Sequence, residues 1–178
     1  MPSSMRAGIS PMPNKAVFFD RDGTLNVDVH YLHDPAAFVW IPGAVDAVHF
    51  ANAHGYLVIV ITNQSGVARG YFGEADVQRL HNWMNEDLRT HGAWIDAFYY
   101  CPHHPDGADA MYRQECGCRK PAPGMILRAL REHDIDPHAS LLIGDGARDV
   151  QAAERAGVRG VRYTGGDLCS LLQHALES

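Results

Sequence analysis

Two aspartates one residue apart, Asp20 and Asp22, follow the apolar run Ala16-Val17-Phe18-Phe19 and precede Gly23 and Thr24. A short buried strand that ends in carboxylates and a glycine puts charge at the carboxyl edge of a sheet, where doubly wound α/β folds bind ligands. Carboxylates at this spacing can divide a displacement between them, one attacking and the other moving a proton. A phosphate ester is a fitting target. Its own charge repels nucleophiles until a cation neutralises it and a nucleophile is held in place. Mg²⁺, hard and octahedral, meets that need with carboxylate oxygens and waters.

A second constellation is Cys101-Pro102-His103 followed by Cys116-Gly117-Cys118. Three thiolates and an imidazole form a closed tetrahedral set of the structural zinc type. The competing reading is buried free thiols with a stray histidine, and His104 competes with His103 as the ligand. The fourth cysteine, Cys169, stands apart and reads as a buried apolar residue. This uneven split argues against a disulfide framework and for a metal site in a reducing compartment, hence the cytoplasm. A zinc ion here would hold the loop that presents Arg119 and Lys120, in place of a hydrophobic core. The remaining histidines, His81 among them, are scattered and read as mostly surface residues.

The elements that must position these groups alternate. Strands are expected at residues 16–19, 56–61, 95–100, 140–145 and 160–163. Helices are expected at 44–54, 74–91, 123–133, 147–156 and 168–176. Tyr56 to Ile61 is rich in β-branched residues, as in a strand buried on both faces. Val77, Leu80, Trp83, Met84 and Leu88 recur at helical spacing and read as core. Gly55 and Gly157 close helices, and Pro123 suits a first turn. Strands alternating with helices imply right-handed βαβ crossovers and a parallel, doubly wound α/β sheet. Residues 26–42 form a loop at the carboxyl edge of the first strand, too short for a cap domain.

The bulk properties narrow the function. The chain has 178 residues, 46% hydrophobic and 20% charged, and a net charge of −6. This is one globular domain, over residues 16–178, with no broad attraction to nucleic acid or anionic membranes. No apolar run reaches the length of a membrane span. Residues 1–15 have no apolar h-region and read as a disordered leader.

Asp20-x-Asp22-x-Thr24 resembles the first motif of the haloacid dehalogenase (HAD) superfamily of phosphohydrolases. Thr62, Lys120 and Gly144-Asp145-x-x-x-Asp149 resemble its second, third and fourth motifs, in the required order. The resemblance implies a capless HAD-like Rossmannoid sheet of order 3-2-1-4-5. Asp20 would be the nucleophile, forming an aspartyl-phosphate, and Asp22 the general acid/base. Thr62 and Lys120 would stabilise the phosphoryl group. Mg²⁺ would be held by Asp20, the backbone carbonyl of Asp22, and Asp145, with Asp149 orienting its neighbours.

Within the superfamily the match narrows. Asp20-Arg21-Asp22-Gly23-Thr24-Leu25-Asn26, Thr62-Asn63-Gln64-Ser65-Gly66, Cys101-Pro102-His103-His104-Pro105 and Cys118-Arg119-Lys120-Pro121 resemble the heptose 1,7-bisphosphate 7-phosphatases. That likeness covers residues 16–165. It implies a capless cytoplasmic enzyme that makes heptose precursors of lipopolysaccharide or other glycans, and we expect the chain to act as a monomer. Asp28, Val29, His30, Tyr31, Thr62, Asn63, Gln64, Ser65, Arg119 and Lys120 would bind the substrate. Arg119 would clamp the distal part of a sugar bisphosphate, for which a bidentate guanidinium is suited.

The histidinol-phosphate phosphatases share the zinc loop and Cys-Arg-Lys-Pro. They tend to have a shorter interval than His103 to Cys116, so they stand as the alternative. Many heptose enzymes carry lysine directly after the last motif's aspartate, where this chain has Gly146. A phosphorylation-receiver domain would need its acceptor aspartate after the third strand, which here ends Tyr99-Tyr100-Cys101.

Overall fold

The computed structural model describes residues 11–178. Five strands form one parallel sheet: β1 (Ala16–Phe19), β2 (Leu57–Asn63), β3 (Ala97–Cys101), β4 (Leu141–Gly144) and β5 (Arg159–Arg162). Their order is β3-β2-β1-β4-β5, as the resemblance implies. The intervening helices are α1 (Ala44–Ala53), α2 (Glu74–Arg89), α3 (Gly124–Glu132) and α4 (Ala147–Arg155), and α5 (Leu168–Glu177) ends the chain.

Side-chain alternation divides the core. Val17 and Phe19 of β1, with Val58 and Val60 of β2, meet apolar residues of α1, α2 and α5 on one face. Ala16, Phe18, Ile59 and Ile61 meet Met125, Ile126 and Ala129 of α3 and Ala152 and Ala153 of α4 on the other. All four residues of β1 have no exposed surface. Central strands of a two-layered wrap must therefore be apolar throughout, which is why the sequence around Asp20 changes so sharply from apolar to charged. The chain reverses its winding between β1 and β4, and this opens a crevice above their carboxyl ends.

Some boundaries differ from expectation. β2 runs two residues past Ile61, because Thr62 and Asn63 keep parallel pairing with Tyr100 and Cys101 of β3. Their turn-forming side chains suggested a stop, but the backbone ladder continues. Pro123 caps α3 from outside rather than entering its first turn. Residues 1–10 of the expected leader lie outside the described residues. Its other end is tied down: Asn14 bridges Ile135, and its backbone N–H donates to the Asp134 carbonyl at 2.8 Å. Between β1 and α1 the described chain carries one short 3₁₀ turn, Pro35–Ala37, and no inserted cap domain.

Candidate active site

Asp20 extends β1 by one residue, its N–H donating to Ile143 of β4 at 3.0 Å. A tight turn follows, in which the Arg21 carbonyl accepts from Thr24, Leu25 and Asn26. Gly23 sits there at φ +86°, and a Cβ on it would lie 2.3 Å from Oδ2 of Asp145. Only glycine takes that backbone readily and leaves that room. The absent side chain is what brings the carboxylate after β4 against the loop after β1.

Lys120 lies in this crevice, 3% exposed. Its ammonium donates to Asp20 Oδ1 at 2.7 Å, Asp149 Oδ1 at 2.6 Å and the Ile61 carbonyl at 2.8 Å. Those three acceptors use all three of its protons. Burial alone would depress the ammonium pKa, but the Asp20 and Asp149 charges outweigh it and the net direction is up. Asp20 moves upward as well, to about 8. Burial is the main cause, Lys120 pulls against it, and Asp149 and Asp145 add to the rise. Asp149 is fixed in turn by the Gly146 N–H, which donates to its Oδ2 at 2.9 Å at the start of α4. The lysine is thus held from the β1, β2 and α4 sides.

Two residues expected at the substrate, Asn63 and Gln64, line the cavity and also have partners within the protein. The Asn63 amide pairs with the Lys120 backbone in both directions, at 3.0 and 3.2 Å. Gln64 donates to Asp22 Oδ2 at 3.1 Å and to Thr62 Oγ1 at 2.9 Å, so it links two other site residues. Thr62 and Ser65 line the cavity as expected. Asp28, His30 and Tyr31 also line it, whereas Val29 does not and is 45% exposed. His30 and Tyr31 adopt left-handed backbone, φ 58° and 56°, and Asp28 Oδ1 accepts from the His30 N–H at 2.9 Å. Two consecutive non-glycine residues in that region store strain of about 1–3 kcal/mol each, a pattern found at ligand clamps.

Asp22 accepts four hydrogen bonds. Arg21 Nε and Asn26 Nδ2 reach Oδ1 at 3.1 and 3.0 Å, while Arg21 Nη2 and Gln64 Nε2 reach Oδ2 at 3.0 and 3.1 Å. Arg21 has no exposed surface. Its guanidinium is itself held by the Leu32 carbonyl and by His81 Nε2 at 3.2 Å. His81 was expected at the surface. It is 4% exposed and stacks on Phe98. Burial, then the Arg21 charge, pushes its pKa well below the usual histidine value, so it stays neutral and can accept from Arg21.

The cavity measures about 280 Å³ and is also lined by Arg69, Arg119, Arg148 and Asp145. Arg119 was expected there, while Arg69 and Arg148 were not. Burial lowers the Arg119 pKa, and the charges of Arg148 and Arg69 contribute.

Beyond Arg119, the four expected zinc ligands converge, with one donor atom from each of Cys101, His103, Cys116 and Cys118 within 4.8 Å of the others. The Cys101–Cys116 and Cys116–Cys118 sulfur separations are 3.5 and 3.3 Å, and His103 Nδ1 lies 3.4 Å from Cys118 and 3.7 Å from Cys101. A tetrahedral ion with bonds of about 2.0–2.3 Å needs ligand separations of roughly this size. Cys101 and Cys118 approach to 2.8 Å, too far for a disulfide, and all the cysteines are free. His104 turns away from the cluster, its Nε2 lying 3.3 Å from Arg69 Nη2. The pairing with Cys101 pushes the Cys118 thiol down to about 5, while that same pairing and burial push Cys101 up. Cys169 is only half-buried.

Comparison with known proteins agrees with this geometry. Residues 117–171 match the HAD-hydrolase-like family model. The D-glycero-β-D-manno-heptose-1,7-bisphosphate 7-phosphatase of Rhodopseudomonas palustris is 47% identical over 161 residues, covering 90% of this chain and 89% of that protein. A HAD-like phosphatase from Mesorhizobium loti superposes with a TM-score of 0.82 at 35% identity, over 94% of this chain and 88% of that one. The D,D-heptose 1,7-bisphosphate phosphatase of B. bronchiseptica, complexed with magnesium and phosphate, superposes with a TM-score of 0.77 at 34% identity, over 90% and 86% of the two chains. At this identity and coverage the chain belongs to the heptose 1,7-bisphosphate 7-phosphatase family of HAD-type phosphoric monoester hydrolases.

Proposed function

We propose that the chain removes the 7-phosphate of D-glycero-β-D-manno-heptose 1,7-bisphosphate, supplying a precursor of activated heptose, through an aspartyl-phosphate on Asp20. The observation that carries this reading is the Asp20–Lys120–Asp149 ion network standing beside the Asp22 carboxylate in one open cavity. The β anomer follows the name of the relatives.

In the first half-reaction an Asp20 oxygen bonds to phosphorus and the ester P–O bond breaks. Asp22 gives a proton to the departing alkoxide. In the second, Asp22 takes a proton from water as the water oxygen attacks phosphorus, and the Asp20 carboxylate leaves. Lys120 offsets charge on the phosphoryl oxygens, and the Thr62 hydroxyl donates to one of them. The Arg21, Asn26 and Gln64 donors aim the Asp22 carboxylate between the two tasks.

The carboxylates fit Mg²⁺. Asp20, Asp145 and Asp149 offer oxygens within 4.8 Å of one another, all hard donors of the type that ion prefers. Asp149 is committed to Lys120 and the Gly146 N–H, leaving Asp20 and Asp145 as its side-chain ligands. The Asp22 carboxylate is likewise occupied, so its share would come through its backbone carbonyl. When bound, Mg²⁺ would screen the phosphate from the Asp20 charge and polarise the P–O bonds. The sulfur and imidazole set fits structural Zn²⁺ by donor type, number and spacing.

Two measurements test these assignments. Phosphate release with Mg²⁺ from the α and β bisphosphates and from histidinol phosphate should favour the β bisphosphate by about a hundredfold in kcat/KM, or ~2.7 kcal/mol. A preference for histidinol phosphate would overturn the substrate. Removing zinc, or making Cys116→Ala, should lower the thermal midpoint and the activity together. Lys120 lies two residues past Cys118, and a displacement of about 1 Å can cost about a hundredfold. Zinc, not Mg²⁺, should restore the chelated protein. Full activity in a chain shown by metal analysis to hold no zinc would end the structural-zinc reading.

A further inference from the structure

We propose that His81 is a positioning residue for proton transfer: from α2 it holds the far edge of the Arg21 guanidinium, and through it the plane in which the Asp22 carboxylate meets the leaving oxygen. This rests on the reading of Asp22 as the general acid. Arg21 joins Asp22 by two parallel N–H bonds, Nε to Oδ1 at 3.1 Å and Nη2 to Oδ2 at 3.0 Å. A forked pair of this kind is planar, so whatever fixes the guanidinium also fixes the carboxylate. Nη1 points away from that pair, and among the described residues its partner is His81 Nε2 at 3.2 Å.

The imidazole suits this task. An arginine can only donate, so Nε2 must be bare and Nδ1 must carry the ring hydrogen. Burial and the Arg21 charge hold the ring neutral, which keeps that acceptor available. A neutral ring also anchors Arg21 without altering the charge that faces Asp22. The ring is not free to turn: it stacks on Phe98 of β3, with centroids 4.3 Å and planes 11° apart, and Tyr100 meets it edge-on at 6.1 Å. The other buried positions of α2, Val77, Leu80, Met84 and Leu88, are apolar, so packing alone would take a leucine at position 81 as well. Outside its own turn, the guanidinium is otherwise held by the Leu32 carbonyl, which belongs to the loop after β1. A helix places a supporting group more precisely than a loop does.

The consequence falls on one class of substrate. An alkoxide is a poor leaving group and departs as it gains the Asp22 proton, whereas p-nitrophenolate is stable enough to leave as the anion. A guanidinium free to rock loosens Asp22 and slows the first class, while attack by Asp20 and the second class are spared.

The test measures kcat/KM for heptose 1,7-bisphosphate and for p-nitrophenyl phosphate in His81→Leu, His81→Phe and His81→Gln. That constant reports the steps up to loss of the leaving group, and comparing two substrates cancels any loss of folded protein. Leucine and phenylalanine remove the acceptor in two different shapes, and phenylalanine keeps a ring for Phe98 to stack on. We expect both to lower kcat/KM for the bisphosphate about tenfold or more, through kcat with KM within about twofold, and to leave p-nitrophenyl phosphate within about threefold of wild type. Glutamine sets an oxygen as many bonds from Cα as Nε2 is, and should return the bisphosphate to within about threefold of wild type. An equal fall for both substrates, no fall for either, or a glutamine variant as slow as the leucine one overturns the His81 assignment alone. A wild-type chain that releases no phosphate from the bisphosphate removes the underlying reading instead.

Discussion

Asp20→Asn is expected to lower kcat by about 10⁴-fold or more while leaving the thermal midpoint at neutral pH unchanged or higher. The two effects separate because the carboxylate sits there against its own solvation. Burial and the neighbouring Asp149 and Asp145 push its pKa up to about 8 even with Lys120 alongside. An amide keeps the shape, carries no charge, and cannot form an acyl phosphate. Lys120 retains Asp149 and the Ile61 carbonyl as partners. Activity is read as phosphate release at saturating substrate. Stability is read by thermal unfolding. Intact mass after acid quench should show one added phosphoryl group in the wild type and none in the variant. Residual turnover within a hundredfold of wild type would show that another group attacks phosphorus, and the aspartyl-phosphate would have to be abandoned.

The main acidic and basic groups were legible in the sequence for a physical reason. Asp20 and Asp145 each follow an apolar strand, and the strand order of a doubly wound sheet makes those two strands neighbours. Thr62 and the cysteine-histidine loop are likewise fixed by strand ends, Thr62 within β2 and Cys101 as the last residue of β3. What the sequence left hidden depends on contacts across the fold. His81 read as a surface residue, yet it lies four residues after Val77 and three before Met84, on the buried stripe of α2. That periodicity was a usable signal. Its partner Arg21 carried none, since a charged residue between two aspartates gives no sign that it is wholly buried. Asn63 and Gln64 have the amide chemistry of substrate ligands, and only the tertiary structure shows them turned onto Lys120 and Asp22. Arg69 and Arg148 are distant in sequence, and no local spacing joins them.

Lys120→Met is the second large effect, and it strikes catalysis and stability at once. Methionine fills similar volume but removes the cation between two buried carboxylates. Breaking a buried ion pair by deleting one partner costs about 3–5 kcal/mol, because the remaining charge has no compensation. The deficit should depend on pH. Asp20 already has a folded-state pKa near 8, above its ordinary 3.8. Without Lys120, which pulls that value down, it rises further. Between the unfolded and folded values the native state binds more protons than the unfolded chain, so stability falls as pH rises through that window. Below the wild-type value both proteins carry a protonated Asp20 and lose stability in parallel, so urea unfolding without added Mg²⁺ should show a deficit that is flat from about pH 5 to pH 7 and grows as pH rises through about 8, where only the wild type ionises Asp20. The wild-type lysine acts in the same sense in alkali: its raised pKa gives stability that is complete below the ordinary lysine range and lost as pH climbs through the folded value. Turnover should fall by about a hundredfold or more, since Asp20 loses ionisation and the phosphoryl oxygens lose their counter-charge. A variant as stable as wild type at pH 8, with kcat reduced less than about tenfold, would place the electrostatic support for Asp20 elsewhere in the crevice.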